Sequence, residues 1–83
     1  MTLSESLIRF IEENLVQDAS STPVRVDESL IQRGLVDSIG LLQIMTFVEQ
    51  ETGVRVPDDE VLPENFETVT RIVELVKRLQ KQR

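Results

Sequence analysis

Two places along the chain hold side chains that could do chemistry. One is Gly34-Leu35-Val36-Asp37-Ser38-Ile39-Gly40-Leu41-Leu42, where a hydroxyl follows a tight-turn residue and opens an apolar run. A serine so placed stands at a helix start, open to a reagent from outside. The other is Asp58-Asp59-Glu60, which lacks the alternating ligands and central glycine of a calcium loop and reads as a solvated acidic turn. No metal site is assigned to it. The chain has no cysteine and no histidine, so neither a thiolate nor an imidazole is present to activate the hydroxyl. Self-contained catalysis is not expected, and no residue is given a catalytic role. Local spacing leaves two readings of the hydroxyl open: Ser38 or Asp37 merely caps the helix, or the oxygen is offered for use.

The elements around this stretch decide how it is presented. Leu3, Leu7, Ile8, Ile11, Leu15 and Val16 recur at three- and four-residue spacings, which predicts an amphipathic first helix over 3–16. Thr2 and Glu5 have the spacing of a capping box at its start. Residues 17 to about 26 read as a long connection, because Ser20, Ser21, Thr22 and Pro23 compete with regular helix. Asp27 is placed to cap a short turn over 28–32 that turns Leu30 and Ile31 inward and leaves through Gly34. Asp37 and Ser38 then head a second helix. Its Leu41, Ile44, Met45, Phe47 and Val48 fall within an arc of roughly 160°. Gly53 supplies the stop, and residues 54–57 are extended before Pro57. Helical turns are expected at 58–60 and from Pro63, and Thr68 is placed to cap a last helix striped with Val69, Ile72, Val73, Val76 and Leu79. Phe47 and Phe66 read as core aromatics and Phe10 as a peripheral one. No segment reads as a strand.

Composition sets limits on function. The 83 residues suffice for one domain with a thin core, and 40% apolar content is enough to fold it. Nine bases against fifteen acids give −6, but Lys77, Arg78, Lys81 and Arg83 crowd the end, so residues 1–76 carry fifteen acids against five bases, a net of −10. Such a field repels phosphate backbones and anionic lipids, which argues against nucleic acid or a membrane as partner. No apolar run approaches the roughly 18 residues that cross a bilayer, and the start lacks a signal-peptide pattern. A cytoplasmic monomer is expected.

With the helix plan in place, the sequence resembles the acyl carrier and peptidyl carrier protein family, whose members bear phosphopantetheine on a serine in a Gly-x-x-Asp-Ser-apolar setting. The matching stretch is GLVDSI. The likeness runs along the chain, through an amphipathic first helix, the loop turn SLIQRGL, the helix LLQIMTFVEQETG, then VRVP, an acidic turn and ENFETVTRIVELV. It implies an all-α, acyl-carrier-like four-helix bundle: three long helices plus a short one, with a long loop after the first, the whole chain 1–83 being one carrier domain. It implies that Ser38 holds a 4′-phosphopantetheine arm taken from coenzyme A, and that Asp37 orients the complex with a phosphopantetheinyl transferase. The arm's terminal thiol would bear the cargo, which accounts for a carrier without cysteine.

The resemblance also implies a loading, adenylating enzyme and downstream tailoring or condensing enzymes as partners. Carriers of fatty-acid synthesis place several acids along the helix after the serine. Here no charged residue lies between Ser38 and Val48. Docking is therefore expected to lean on apolar and neutral contacts at Ile39, Leu42, Gln43 and Thr46. Ile39 and Leu42 lie off the main apolar arc, so edge-of-core packing is their alternative. The neutral helix and the ending LPENFETVTRIVELV look more like freestanding carriers of polyketide, nonribosomal-peptide or other secondary metabolism, some of which hold an amino acid such as proline. A fatty-acid carrier is the alternative. A remoter one is an unmodified helical interaction module in which Ser38 is only a cap.

Overall fold

The computed structural model describes residues 2–15 and 23–81. Thr2 starts the first helix, α1 (Leu3–Asn14), with the expected capping box: its hydroxyl oxygen accepts the Glu5 N–H while the Glu5 carboxylate reaches back to the Thr2 N–H. Leu7 and Ile11 are its buried residues. Leu15 is the helix cap, and Val16 and the connection at 17–22 lie outside the described residues.

Residues 23–37 form no helix, yet they are tied down at both ends. The Val24 N–H donates to the Glu12 carboxylate, and the Val26 carbonyl accepts from both the N–H and the hydroxyl of Thr70. The Leu30 N–H donates to the Glu67 carbonyl at 2.7 Å, and the Leu30 carbonyl accepts from Leu35 and Val36. Leu30 is fully buried, but Ile31 is 38% exposed, contrary to the expectation that both point inward. Adjacent residues of a turn diverge by about 100°, so only one can face the core. Asp27 is not the cap either. Glu28 accepts the Arg25 N–H and pairs with Arg33 at 2.8 Å, while Ser29 accepts the Gln32 N–H. Gly34 turns the chain out at φ 82°, a left-handed conformation that costs a residue with a Cβ about 1 kcal/mol or more.

The second helix, α2, spans Ser38–Thr52 and ends at Gly53, whose φ of 71° and N–H bond to the Glu49 carbonyl make a left-handed stop. Val54 and Val56 then point inward with Arg55 outward, as an extended segment requires. Two 3-10 turns follow, Asp58–Glu60 and Pro63–Asn65, and then α3 (Val69–Lys81), whose start is capped by Thr68 through the Arg71 N–H. The short fourth helix of the bundle is thus divided into two turns. Glu60 is fastened to α3 by Arg78 at 2.6 Å. Among the described residues there is no strand, and no helix is long and apolar enough to cross a membrane.

The core gathers Leu7 and Ile11 of α1, Ile44 and Val48 of α2, Leu30, Phe66, and one face of α3. Val69, Ile72, Val76 and Leu79 are buried there as the spacing predicts, together with Leu75; Val73 is only half-buried. Phe66 is wholly buried, as expected, whereas Phe47 is not a core residue. The apolar arc of α2 is centred between Ile44 and Val48, so Phe47 falls on its edge and stacks instead on Phe10, ring centroids 4.4 Å apart.

Candidate functional site

The head of α2 resolves which of the two neighbouring side chains is the cap. Asp37 occupies the N-cap position with extended backbone, and its Oδ1 accepts the Gly40 N–H at 2.7 Å while its carbonyl accepts from Leu41. Ser38 is the first helical residue and is exposed. Its hydroxyl has no hydrogen-bond partner among the described residues. The reading in which Ser38 only caps the helix is therefore set aside, and its oxygen is spare. The N–H groups of Ser38 and Ile39 meet no protein acceptor among the described residues, so the positive end of the helix dipole is open toward solvent beside that oxygen. One oxygen of Asp37 holds the turn, and the other is not engaged.

Gly40 makes this arrangement possible. It lies in the uncharged stretch of α2 and is buried. A Cβ there would lie 3.1 Å from the Leu35 carbonyl oxygen and 3.3 Å from Asp37 Oδ1. A hydrogen lets the loop backbone and the capping carboxylate both close over the helix head, where a Cβ would make them give way by a few tenths of an ångström. Its sequence signal was a glycine two residues into a helix, where other residues have better helix propensity.

The four expected docking residues come together on one exposed strip. Ile39 is 68% exposed and Leu42 53%, so neither is an edge-of-core residue. With Gln43 and Thr46 they wall a groove of about 390 Å³, which Phe47 and Gln50 extend along α2. Phe10 and Asn14 of α1 form the facing wall. None of the lining side chains among the described residues is charged. Phe10, Asn14 and Phe47 were not foreseen as site residues; the available signal was that both rings sit at the edges of their helices' apolar faces. Ser38 itself does not line that groove; it borders a smaller hollow of about 230 Å³ with Ile31, Val36, Asp37, Leu41 and Pro63. Among the described residues no three metal-ligating side chains gather, and the acids at 58–60 spread along their turn.

Comparison with known proteins bears on this geometry. Residues 7–82 match the family described as "Phosphopantetheine attachment site". The D-alanyl carrier proteins of Streptococcus pyogenes serotype M1 and of serotype M5 (strain Manfredo) are each 30% identical over 80 residues, covering 96% of this chain and 98% of theirs. Among solved structures, the crystal structure of Bradyrhizobium japonicum glycine:[carrier protein] ligase complexed with glycylated carrier protein contains a similar chain. It has a TM-score of 0.69 and 27% identity, covering 90% of this chain and 100% of that one.

Proposed function

The chain belongs to the phosphopantetheine attachment-site family and is a carrier protein whose cofactor is covalent 4′-phosphopantetheine; on that premise we propose that Ser38 is the attachment residue and that the cargo is an amino acid. The observation that carries the first part is the spare, exposed Ser38 hydroxyl beside a cap made by Asp37. In the attachment step the Ser38 oxygen attacks the phosphorus of coenzyme A that bears the pantetheine. A new P–O bond forms, the pyrophosphate P–O bond breaks, adenosine 3′,5′-bisphosphate leaves, and the serine proton passes to a base of the transferase. The chain itself supplies position: a rigid helix start, open N–H groups that suit a phosphate, and the second oxygen of Asp37 free to orient the transferase and its metal.

When bound, the arm supplies a thiol on which the cargo is held as a thioester. What supports an amino acid as cargo is the naming of the relatives, one a D-alanyl carrier and the other glycylated. The neutral α2 strip supports partners that bind through apolar and uncharged contacts, which sets this chain apart from carriers of the fatty-acid type. Proline and polyketide intermediates, considered from the sequence, draw no comparable support. The partners under this reading are a phosphopantetheinyl transferase, an amino-acid-activating ligase and an enzyme that takes the aminoacyl group onward. Incubation with coenzyme A and a promiscuous transferase is expected to add one phosphopantetheine by intact mass, and Ser38→Ala to add none. Modification of Ser38→Ala at the same rate would refute the assignment.

A further inference from the structure

We infer that the seam between α1 and α2 docks an amphipathic helix of a partner protein, one with an apolar ridge toward the head of α2 and an arginine or lysine at its far end. The two helices run antiparallel, since the Leu15 side chain lies beside Gly40 and Phe10 stacks on Phe47. That ring pair stands in the walls of two hollows, so the seam is one trough with the rings at its middle. Toward the head of α2 is the uncharged groove of about 390 Å³, where Ile39 and Leu42 are exposed. Away from it is a hollow of about 270 Å³, walled by the same rings with Ser6, Arg9, Glu13 and Glu51. A trough between two helices suits a third helix, which lays its apolar face between them. The surface is complete on the unmodified chain.

The charges of the far hollow name the side chain that enters it. Glu51 has no partner among the described residues. Glu13 has Arg9 at 3.9 Å, a long pair between mostly exposed side chains that contributes little. Two carboxylates against one guanidinium leave the hollow net negative beside two aromatic rings. A guanidinium or ammonium group is attracted there by the ring faces and the carboxylates together. From Leu42 to Glu51 is about 14 Å at about 1.5 Å per helical residue, so an apolar ridge and a basic side chain two to three turns apart on one face meet both ends. A second copy offers no such helix, because Lys77, Arg78 and Lys81 stand on α3, whose apolar face is buried in the core. An anionic membrane is repelled by the net charge of −6. With one new ion pair, docking keeps a shallow dependence on salt. The trough is neutral at one end and acidic at the other, so it also sets which way the partner helix points relative to Ser38.

The test titrates isotope-labelled, unmodified protein with a lactam-stapled helix of about fifteen residues, bearing two leucines one turn apart and an arginine two to three turns beyond them on the same face. Amide shift changes are expected at Ile39 and Leu42 and also at Phe10, Glu13, Phe47 and Glu51. Exchanging the peptide arginine for glutamate is expected to weaken binding by at least about fivefold. Glu51→Lys, at an exposed position that keeps the fold, is expected to reverse the preference, so that the glutamate peptide binds the tighter. Equal binding of the two peptides, shift changes confined to Ile39 and Leu42, or no binding at millimolar peptide would overturn the inference. A dimer by sedimentation that Leu42→Glu dissolves would give the seam to a second copy and overturn it as well. Attachment at Ser38 is read separately by intact mass, so neither result decides the other.

Discussion

Replacing Asp37 and Ser38 one at a time separates the residue that holds the helix from the residue proposed to be modified. Asp37 Oδ1 accepts the Gly40 N–H at 2.7 Å, a short charge-assisted bond at the first turn. Truncating an N-cap of this kind costs about 0.5–2 kcal/mol, and a carboxylate at a helix start contributes about 0.3–1 kcal/mol through the dipole. The side chain is exposed, so roughly 1–2 kcal/mol in total is the reasonable figure for Asp37→Ala. In a domain of this size each kcal/mol lowers the melting midpoint by about 4–8 °C, so the variant is expected to melt at least about 4 °C below wild type. Ser38 donates and accepts nothing among the described residues, so Ser38→Ala is expected to stay within about 0.5 kcal/mol. Asp37→Asn keeps the acceptor and loses the charge, and is expected to cost only a few tenths of a kcal/mol. Circular dichroism melts of the unmodified proteins give these differences, and transferase rates on the same samples give the second readout. Ser38→Ala should abolish modification without loss of stability, while Asp37→Asn should slow it without unfolding. A melting loss in Ser38→Ala as large as that of Asp37→Ala would mean that the serine is the cap and would refute the reasoning.

Phe66→Ala is expected to cost about 3–5 kcal/mol because the ring is wholly buried, whereas Phe47→Ala should cost about 1–2 kcal/mol for a half-buried ring and its stacking partner; denaturant titration distinguishes them. Gly40→Ala gains about 1 kcal/mol of helix propensity but forces the Leu35 carbonyl and the capping carboxylate apart, so its stability should barely change while the rate of Ser38 modification falls, as measured by intact mass over time. Because α2 carries no charge from Ser38 to Val48, binding to the loading ligase is expected to weaken less than about fivefold between low and physiological salt by calorimetry, and a steeper fall would place the contact on the acidic surface instead.

Periodicity alone was enough to place α1, α2 and α3, since each needs only one apolar face and local caps. The stops at Gly34 and Gly53 were legible for the same reason: a left-handed residue is a local requirement that glycine announces. What escaped reading is non-local. The bonds from Leu30 to Glu67 and from Thr70 to Val26 join segments some forty residues apart, and no short-range pattern encodes them. Those bonds fix which of Leu30 and Ile31 faces inward. Phe47 was misplaced because an arc of apolar residues does not say where its centre lies; only the partner helices decide that. Around Ser38 the residue types and their order were readable, and so were Ile39, Leu42, Gln43 and Thr46 as an uncharged surface. The burial of Gly40 was not, because it arises from a backbone carbonyl five residues earlier in the chain.

The loop before α2 is pinned to α3 at Glu67 and Thr70 and to α1 at Glu12, so the base of Ser38 has little freedom of its own. An arm on Ser38, where attachment is proposed, would confine whatever it holds to a small hemisphere, and within that shell the effective concentration seen by a docked enzyme would be of millimolar order. Encounter between load and enzyme is then unimolecular, and selectivity between successive enzymes falls to which of them holds the pivot, and for how long.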